Sequence, residues 1–335
     1  MGVQTKSIML QCLSVPCACR CRYCLLSWDG KCVGCDFDRG MAYAKAFHDW
    51  ITETHPEIRF HFSFGYSMDH PRLFPVLDFL NGISSVSGSF LQMNGFAFRD
   101  ARENAALMAA LAAYGVKSVN FTFYGTEKYH DAFAGRQGDF PHLLSMASAA
   151  VKTGLRVSAG IPLTRENRSQ TENLLSVLSE TGISDIRLFI PHEEGRGIAL
   201  QAVRCTKADY ERLSPFARKL LNRAVYRTEA EWIADGDPEP ESSRSLLISL
   251  TPGNIAHFEK IGFEQAIREV EALDEAYYSV LPDFQTLLGQ YGNPANTTLY
   301  GRRDLYQRCQ KQYIREHCLS LYDVTDERFC GSRRY

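Results

Sequence analysis

The chain has 335 residues, of which 45% are hydrophobic and 23% charged, a composition typical of a folded protein with one large core or two smaller ones. Its 37 basic and 39 acidic side chains nearly cancel, which excludes the strong positive field of a protein that binds nucleic acid or an anionic membrane. No apolar stretch is long enough to span a bilayer, and the start of the chain lacks the pattern of an export signal. We therefore predict a cytoplasmic protein that acts on a small molecule or a peptide.

Six short runs rich in β-branched and aromatic residues, each followed by a helical pattern, predict repeated strand–helix units in the first 200 residues. The predicted strands cover residues 6–13, 58–64, 87–93, 118–123, 156–161 and 185–190. Their starts lie between 29 and 52 residues apart, a spacing that suits parallel strands joined by helical crossovers. Because reactive side chains follow every predicted strand, as at the rim of a barrel, we predict an α/β fold with a partial (β/α)6 TIM-like barrel.

After about residue 200 the alternation stops, and helical patterns cover residues 207–227, 254–281 and 302–318. Between them, the polar, proline-containing segment 235–245 predicts a surface loop or the hinge of a helical appendage. We therefore predict a barrel over residues 1–200 and a mostly helical region over residues 201–335.

Cysteines are crowded near the N-terminus, where seven of the 11 fall within 24 residues. Disulfides do not explain this density in a long cytoplasmic chain, so metal ligation is the better interpretation. Cys17, Cys21 and Cys24 have the spacing C-x3-C-x2-C, and three thiolates on one loop can hold a [4Fe-4S] cluster with one iron left open. The alternative is zinc held by Cys21, Cys24, Cys32 and Cys35, although the gap of seven residues between the two pairs is short for such a site.

The segment Cys17–Cys24, with an aromatic residue before its last cysteine, resembles the signature loop of the radical S-adenosylmethionine (SAM) enzymes. Phe62–Ser67 resembles the turn after the second strand of that superfamily, and Leu91–Gly95 resembles its third strand, which ends in Asn-Gly. Residues 121–140 resemble the fourth-strand segment of the SPASM/twitch-type subgroup, which includes peptide-maturing and sulfatase-maturing enzymes. The turn Gly195–Gly197 continues the similarity.

The resemblance implies a [4Fe-4S] cluster on Cys17, Cys21 and Cys24, reduced by a one-electron donor such as flavodoxin or ferredoxin. It implies cleavage of SAM to a 5'-deoxyadenosyl radical, which abstracts hydrogen from a small-molecule or peptide substrate. Tyr23 would then lie against the adenine. The other implied SAM contacts are Gly65, Tyr66 and Ser67 at the methionine end, Thr122, Arg136 and Ser158 at the carboxylate and ribose, and Asn167 at the ribose hydroxyls.

Titratable residues also fall in the predicted rim loops, where they could orient substrate, move a proton or simply form hydrogen bonds. They are His130, Asp131, His192, Glu193 and Glu194.

The remaining cysteines leave further alternatives open. Cys309, Cys318 and Cys330 lack the dense spacing of a SPASM auxiliary-cluster domain, while a second metal site with Cys32 and Cys35 stays open. Two other functions also stay open. One is a maturase of a ribosomally made peptide, and the other is a non-catalytic iron–sulfur or zinc protein that serves as a scaffold or redox sensor and uses four cysteines on its metal.

Overall fold

The computed structural model describes residues 4–12, 17–24, 35–63, 69, 72–83, 90–236, 244–321 and 331–333. Its strands are β1 (Thr5–Cys12), β2 (Arg59–Ser63), β3 (Phe90–Gln92), β4 (Ser118–Thr122), β5 (Arg156–Pro162), β6 (Asp185–Phe189), β7 (Tyr226–Arg227), β8 (Arg244–Leu250), β9 (Tyr300–Gly301) and β10 (Gly331–Arg333).

The helices alternate with the strands up to β6 and then predominate. They are α1 (Phe37–Thr54), α2 (Leu73–Ile83), α3 (Ala101–Tyr114), α4 (Glu127–Ala134), α5 (Asp139–Lys152), α6 (Thr171–Glu180), α7 (Lys207–Glu211), α8 (Pro215–Leu220), α9 (Glu229–Asp235), α10 (Ile255–Ile261), α11 (Phe263–Tyr278), α12 (Phe284–Tyr291) and α13 (Arg302–Glu316). Short 3₁₀ helices cover Arg168–Gln170 and Gly195–Val203. Within the described ranges, no helix has both the length and the apolar character that a membrane span requires.

The six predicted strands are present in the predicted order, which confirms the α/β class. β1 pairs in parallel with β2, and β3, β4, β5 and β6 pair in parallel with one another in sequence order. The strands form two four-stranded sheets, ordered β10-β8-β1-β2 and β3-β4-β5-β6. The described residues contain no ladder between β2 and β3, so the parallel strands form an open arrangement rather than a closed barrel.

Strand β8 is not among the predicted strands, and it begins inside the segment predicted as a loop or hinge. Arg244–Leu250 pairs in parallel with β1 on the edge opposite β2, and β10 pairs with β8 in antiparallel orientation. Leu246 and Ile248 are fully buried, so this short apolar run belongs to the core. A run of this length between two helical patterns does not reveal a strand partner more than 230 residues away. The division at residue 200 stays a prediction, although the second region supplies this strand.

Alternation along the central strands separates an apolar face from a polar one. Val119 and Phe121 of β4 are fully buried in the main hydrophobic core, while Asn120 and Thr122 lie on the opposite face. Ser158 of β5 is the register partner of Asn120 and accepts a hydrogen bond from its side-chain amide at 2.8 Å. The sheet therefore carries a patch of buried polar side chains next to the loops that follow its strands.

Local signals explain why the helices begin and end where the patterns predicted. In α3, the Asp100 side chain accepts from the backbone N–H of Glu103, and the Glu103 side chain accepts in return from the backbone N–H of Asp100. This capping box satisfies N–H groups that have no partner within the helix. At the other end Gly115 adopts the left-handed conformation that closes many helices.

Candidate metal centre

The cysteine loop, residues 17–24, is held by the segments that follow three other strands. The Ala18 backbone N–H donates to the Gly95 carbonyl oxygen at 3.1 Å, just after β3. Beyond β4, the N–H of Arg20 donates to Ala134 O at 2.7 Å and that of Arg22 to Phe133 O at 3.0 Å. Beyond β6, the Arg196 N–H donates to Cys24 O at 3.0 Å. The loop is thus fixed by its backbone, which leaves its side chains available for other contacts.

Gly95 makes room for the Cys17 side chain. Its φ of +84° lies in the left-handed region, and a Cβ atom added there would stand 2.2 Å from the Cys17 sulfur. Glycine is therefore required at this position for two reasons: the backbone has a positive φ, and the Cys17 sulfur occupies the space of a side chain. The Asn-Gly pair that ends the third strand is a direct support of the first cysteine.

We expect Gly95→Ala to displace the Cys17 sulfur and to reduce the iron bound after reconstitution at least fivefold. Gly115→Ala is the matched control, because Gly115 also has a positive φ, +108°, but a Cβ there would meet nothing within 4 Å. Both variants should lose about 1–2 kcal/mol of stability from backbone strain. Iron analysis and urea unfolding separate the two effects, and equal iron loading of the two variants would contradict the role of Gly95.

Aromatic side chains pack against the cysteine loop. The Tyr124 hydroxyl lies 3.0 Å from the Cys21 sulfur, and its ring stacks on Phe133 with centroids 4.7 Å apart. Tyr23 meets Tyr124 edge to face with ring centroids 5.6 Å apart, and its hydroxyl lies near the side chains of Tyr124 and Thr122. Burial, reinforced by the nearby Cys21, raises the pKa of Tyr124 well above its usual value, so this hydroxyl stays protonated. Tyr23 therefore links the loop to the polar face of the sheet.

A buried ion-pair network lies on the other side of Tyr124. His130 Nδ1 accepts the Tyr124 backbone N–H at 3.1 Å, so the imidazole proton is on Nε2, which lies 3.1 Å from Asp139 Oδ2. Arg136 pairs with the second oxygen of Asp139 at 3.0 Å. The Cys19 sulfur lies 3.8 Å from Asp139 Oδ2, and the side chains of His130 and Asp139 are completely inaccessible to solvent. This network joins the cysteine loop to α4 and α5.

The thiols of the loop have the donor chemistry that an iron–sulfur cluster needs. Cys17, Cys21 and Cys24 are partly exposed, Cys19 is buried, and none of the four is in a disulfide. The Cys19 thiol lies near those of Cys17 and Cys21. Its interaction with Cys17 lowers the pKa of Cys19, but its interaction with Cys21, burial and the Asp139 carboxylate together raise it to about 12.

In the described part of the chain, no three His, Cys, Asp or Glu side chains already converge on a metal position. Taking up a cluster would therefore require side chains to turn, with the Cys21 sulfur leaving the Tyr124 hydroxyl. Cluster assembly would also replace the thiol protons with metal bonds. The donor set fits a cluster in its chemistry and its placement on one anchored loop.

The predicted SAM contacts differ in their surroundings. Thr122 and Ser158 lie together on the polar face, with Gln92 Nε2 3.4 Å from Thr122 Oγ1. Arg136 is occupied by Asp139 and stacks over the Phe98 ring, 3.7 Å from its centroid. Gly65, Tyr66 and Ser67 lie outside the described residues.

Asn167 is also fully engaged. Its amide group donates to the carbonyl oxygens of Tyr124 and Pro162, both at 2.7 Å, and its oxygen accepts the Thr164 N–H at 2.8 Å. It therefore ties the segment after β5 to the segment after β4. A contact with a ribose would require it to exchange one of these partners.

His130 and Asp131 lie in helix α4 rather than in a rim loop, contrary to the prediction. The Asp131 carboxylate accepts the backbone N–H groups of Gly138 and Phe140, at 2.6 and 2.9 Å, at the start of α5. Both residues are buried and stabilise the support of the cysteine loop.

The segment after β6 is held by Asp304 in the first turn of α13. Asp304 Oδ1 lies 3.1 Å from His192 Nδ1 and accepts the Glu193 backbone N–H at 3.0 Å, while Oδ2 pairs with Arg204 at 3.0 Å. The neighbouring Glu194 is buried and pairs with Arg303. The predicted rim residues are thus where the C-terminal region docks, and Arg204 and Asp304 were missed because their contacts join segments about 100 residues apart.

We expect Asp304→Asn to weaken this docking. Burial raises the pKa of Asp304, but the His192 hydrogen bond, the Arg204 charge and the Glu193 N–H outweigh it and lower the pKa to about 2. The charged carboxylate then contributes about 2 kcal/mol, present above about pH 4 and lost as the pH falls through about 2. Urea unfolding should show this loss at pH 7 and a smaller difference from the parent protein at pH 2–3. Glu211→Gln, at an exposed site on α7, should change stability by less than about 0.5 kcal/mol.

Cysteines outside the loop do not complete a second metal centre among the described residues. Cys35 lies near Cys12, and Cys309 is packed in a small C-terminal core with Trp232 and Phe284. Cys32 and Cys330 lie outside the described residues, so the Cys32 and Cys35 site has no structural support.

No protein-family model matches the chain, and no curated protein does. Among solved structures, it is similar to Streptococcus suis SuiB bound to precursor peptide SuiA, with a TM-score of 0.38 and 12% identity over 57% of this chain and 40% of SuiB. It is similar to native anSMEcpe with bound AdoMet, with a TM-score of 0.40 and 16% identity over 56% of this chain and 52% of that one.

A third similar structure is HemN, the coproporphyrinogen III oxidase of Escherichia coli, described as a radical SAM enzyme. Its TM-score is 0.42, with 13% identity over 74% of this chain and 64% of HemN. The chain thus spans about two-fifths to two-thirds of these proteins. Scores below 0.5 do not establish a shared fold. In its cysteine motif, the chain resembles radical SAM enzymes.

Proposed function

We propose that the chain is a radical SAM enzyme that holds a [4Fe-4S] cluster through Cys17, Cys21 and Cys24. The observation that carries the proposal is the cysteine loop itself, whose three partly exposed thiols are presented by a backbone anchored to the segments after β3, β4 and β6. When bound, the cluster would use one electron from a donor such as flavodoxin or ferredoxin to cleave SAM and supply a 5'-deoxyadenosyl radical.

The polar face of the sheet would bind SAM beside this loop. Because Ser158 Oγ accepts from Asn120, its own hydroxyl hydrogen is available to a ligand oxygen. Thr122 adds a second hydroxyl on the same face, and Tyr23 would pack its ring on the adenine. Hydroxyl donors on one surface suit the carboxylate and ribose oxygens of SAM. Arg136 and Asn167 would join them only by exchanging their present partners.

A reactive radical must be kept from water, and the docked C-terminal region would provide that shielding. Asp304 of α13 holds the segment after β6, next to the Arg196 contact with the cysteine loop. We propose that a small molecule or a peptide binds beneath the docked C-terminal region, and that the enzyme works in the cytoplasm, where the thiols of its cysteine loop stay reduced.

The proposal is tested by SAM cleavage. Protein reconstituted with iron and sulfide without oxygen, then reduced with dithionite, should convert SAM to 5'-deoxyadenosine slowly even without substrate. The control is the triple variant Cys17→Ala, Cys21→Ala, Cys24→Ala carried through the same reconstitution. Product at the same rate in both samples, or in neither, would refute the proposed activity.

A further inference from the structure

Two cysteines that the proposed function does not use flank the cysteine loop in the sequence and lie close to each other over Gly40. Cys12 is the last residue of β1, and Cys35 directly precedes Asp36, the N-cap of α1. The two thiols interact with each other, and their exposed fractions are 0% and 4%. Neither is in a disulfide in this structure. The two thiols thus bracket residues 13–34, the part of the chain that carries Cys17, Cys21 and Cys24.

A glycine in α1 makes room for the pair. Gly40 is buried in the first turn of the helix, and a Cβ atom added there would lie 2.4 Å from the Cys12 sulfur and 3.6 Å from the Cys35 sulfur. Glycine is a poor helix former, so its presence inside α1 has a packing reason at this site. The helix leaves a slot in which the two sulfur atoms lie side by side.

The surroundings make the two thiols unequal. The interaction with Cys12, together with the nearby Arg39 guanidinium, lowers the pKa of Cys35 despite its burial. The same interaction and burial raise the pKa of Cys12. Because the thiolate is the attacking species in thiol–disulfide exchange and the Arg39 charge stabilises the thiolate of Cys35, Cys35 is suited to react first and Cys12 second.

We propose that Cys12 and Cys35 form a reversible dithiol–disulfide site whose oxidant is a small-molecule disulfide of the glutathione class. The Cys35 thiolate attacks one sulfur of the oxidant, forms a mixed disulfide and releases one small thiol. Cys12 then loses its proton, attacks the Cys35 sulfur and releases the second small thiol. The protein pair is oxidised by two electrons and the small disulfide is reduced by two, so no other reactant is needed.

The new bond would join the end of β1 to the start of α1 and close the chain over residues 12–35. It would therefore restrict both ends of the segment that carries the cysteine loop. This site does not depend on the proposed radical SAM activity, since neither sulfur is one of the three proposed cluster ligands.

Disulfide mapping tests the proposal on the full-length protein. The protein is equilibrated without metal in buffers of increasing ratio of oxidised to reduced glutathione, trapped with acid and alkylating agent, and digested for mass spectrometry. We expect a crosslinked peptide pair joining Cys12 and Cys35, which increases with the ratio and disappears after dithiothreitol treatment. The oxidised protein should also melt about 5 °C higher, because the crosslink restricts the unfolded chain.

Four variants make the result specific. Cys12→Ser and Cys35→Ser should each lose the crosslink and the thermal shift, whereas Cys205→Ser, at another buried cysteine, should keep both. The triple variant Cys17→Ala, Cys21→Ala, Cys24→Ala should still form the crosslink, which excludes exchange through the loop thiols. Cys12 and Cys35 that stay fully alkylatable at every ratio, or that pair with other cysteines instead, would overturn the proposal. Protection from alkylation that depends on added iron or zinc and is reversed by a chelator would overturn it too.

Discussion

Alanine at any one of Cys17, Cys21 or Cys24 is expected to remove nearly all the [4Fe-4S] cluster from reconstituted protein, whereas Cys19→Ala should keep most of it. The four thiols come from one loop, but only Cys17, Cys21 and Cys24 are partly exposed. Cys19 is buried, and its sulfur lies 3.8 Å from the buried Asp139 carboxylate. A [4Fe-4S] cluster with one open iron needs three thiolate ligands, and each of these variants has only two left. Cys19 is therefore the matched control for chemistry and position.

The measurements are iron and sulfide per chain, the spectrum of the reduced protein and the yield of 5'-deoxyadenosine. The parent and Cys19→Ala should contain about four iron and four sulfide per chain, and Cys17→Ala, Cys21→Ala and Cys24→Ala much less. Loss of iron from all four variants alike would indicate a cluster with four cysteine ligands, as expected for the non-catalytic alternative. Retention of iron by Cys17→Ala, Cys21→Ala and Cys24→Ala would locate the metal elsewhere.

Asp139→Asn is expected to lower the free energy of unfolding by about 3 kcal/mol, because it removes the charge from a buried network and leaves Arg136 without its partner. The Asp139 side chain is completely buried and also accepts from His130, whose other nitrogen fixes the backbone of Tyr124. The effect should therefore reach the cysteine loop through Cys19, whose exposed fraction is 3%.

Urea unfolding of metal-free protein measures the stability change, and the rate of Cys19 alkylation in the folded state measures its release. We expect alkylation of Cys19 to become at least tenfold faster. Asp100→Asn is the control, because it makes the same change at another helix start where the side chain is exposed and asparagine caps equally well. If both variants are as stable as the parent, the network does not support the loop.

The strands of the first half could be predicted because each carries its own local signal. Residues 118–123 were predicted and β4 covers Ser118–Thr122, since alternating apolar residues mark a strand without knowledge of its neighbours. Strand β8 has only a short apolar run, and its partner β1 is remote in sequence. Residues 244–250 form a strand because they pair with β1, and nothing within the segment itself indicates that pairing.

The same distinction applies to the site. The spacing of Cys17, Cys21 and Cys24 is visible in the sequence, and so is the Asn-Gly pair that seats Cys17. The contacts of Asp139 with Cys19 and of Asp304 with Arg204 join residues about 100 or more apart, and no local pattern marks them. Residues 121–140 resemble the fourth-strand segment of the SPASM/twitch-type subgroup, and in the structure their buried residues mainly support the cysteine loop.

The parallel pairing of β1 with β8 has a consequence for synthesis of the protein. During translation the first strand, whose end leads into the cysteine loop, cannot complete its sheet until residue 250 has left the ribosome. At about 5–20 residues per second, this delay lasts about 10–50 seconds, during which the edge of β1 that will receive β8 stays unpaired. Nascent chains stalled before residue 244 should therefore bind chaperones that recognise exposed strands, and release them once β8 has been added.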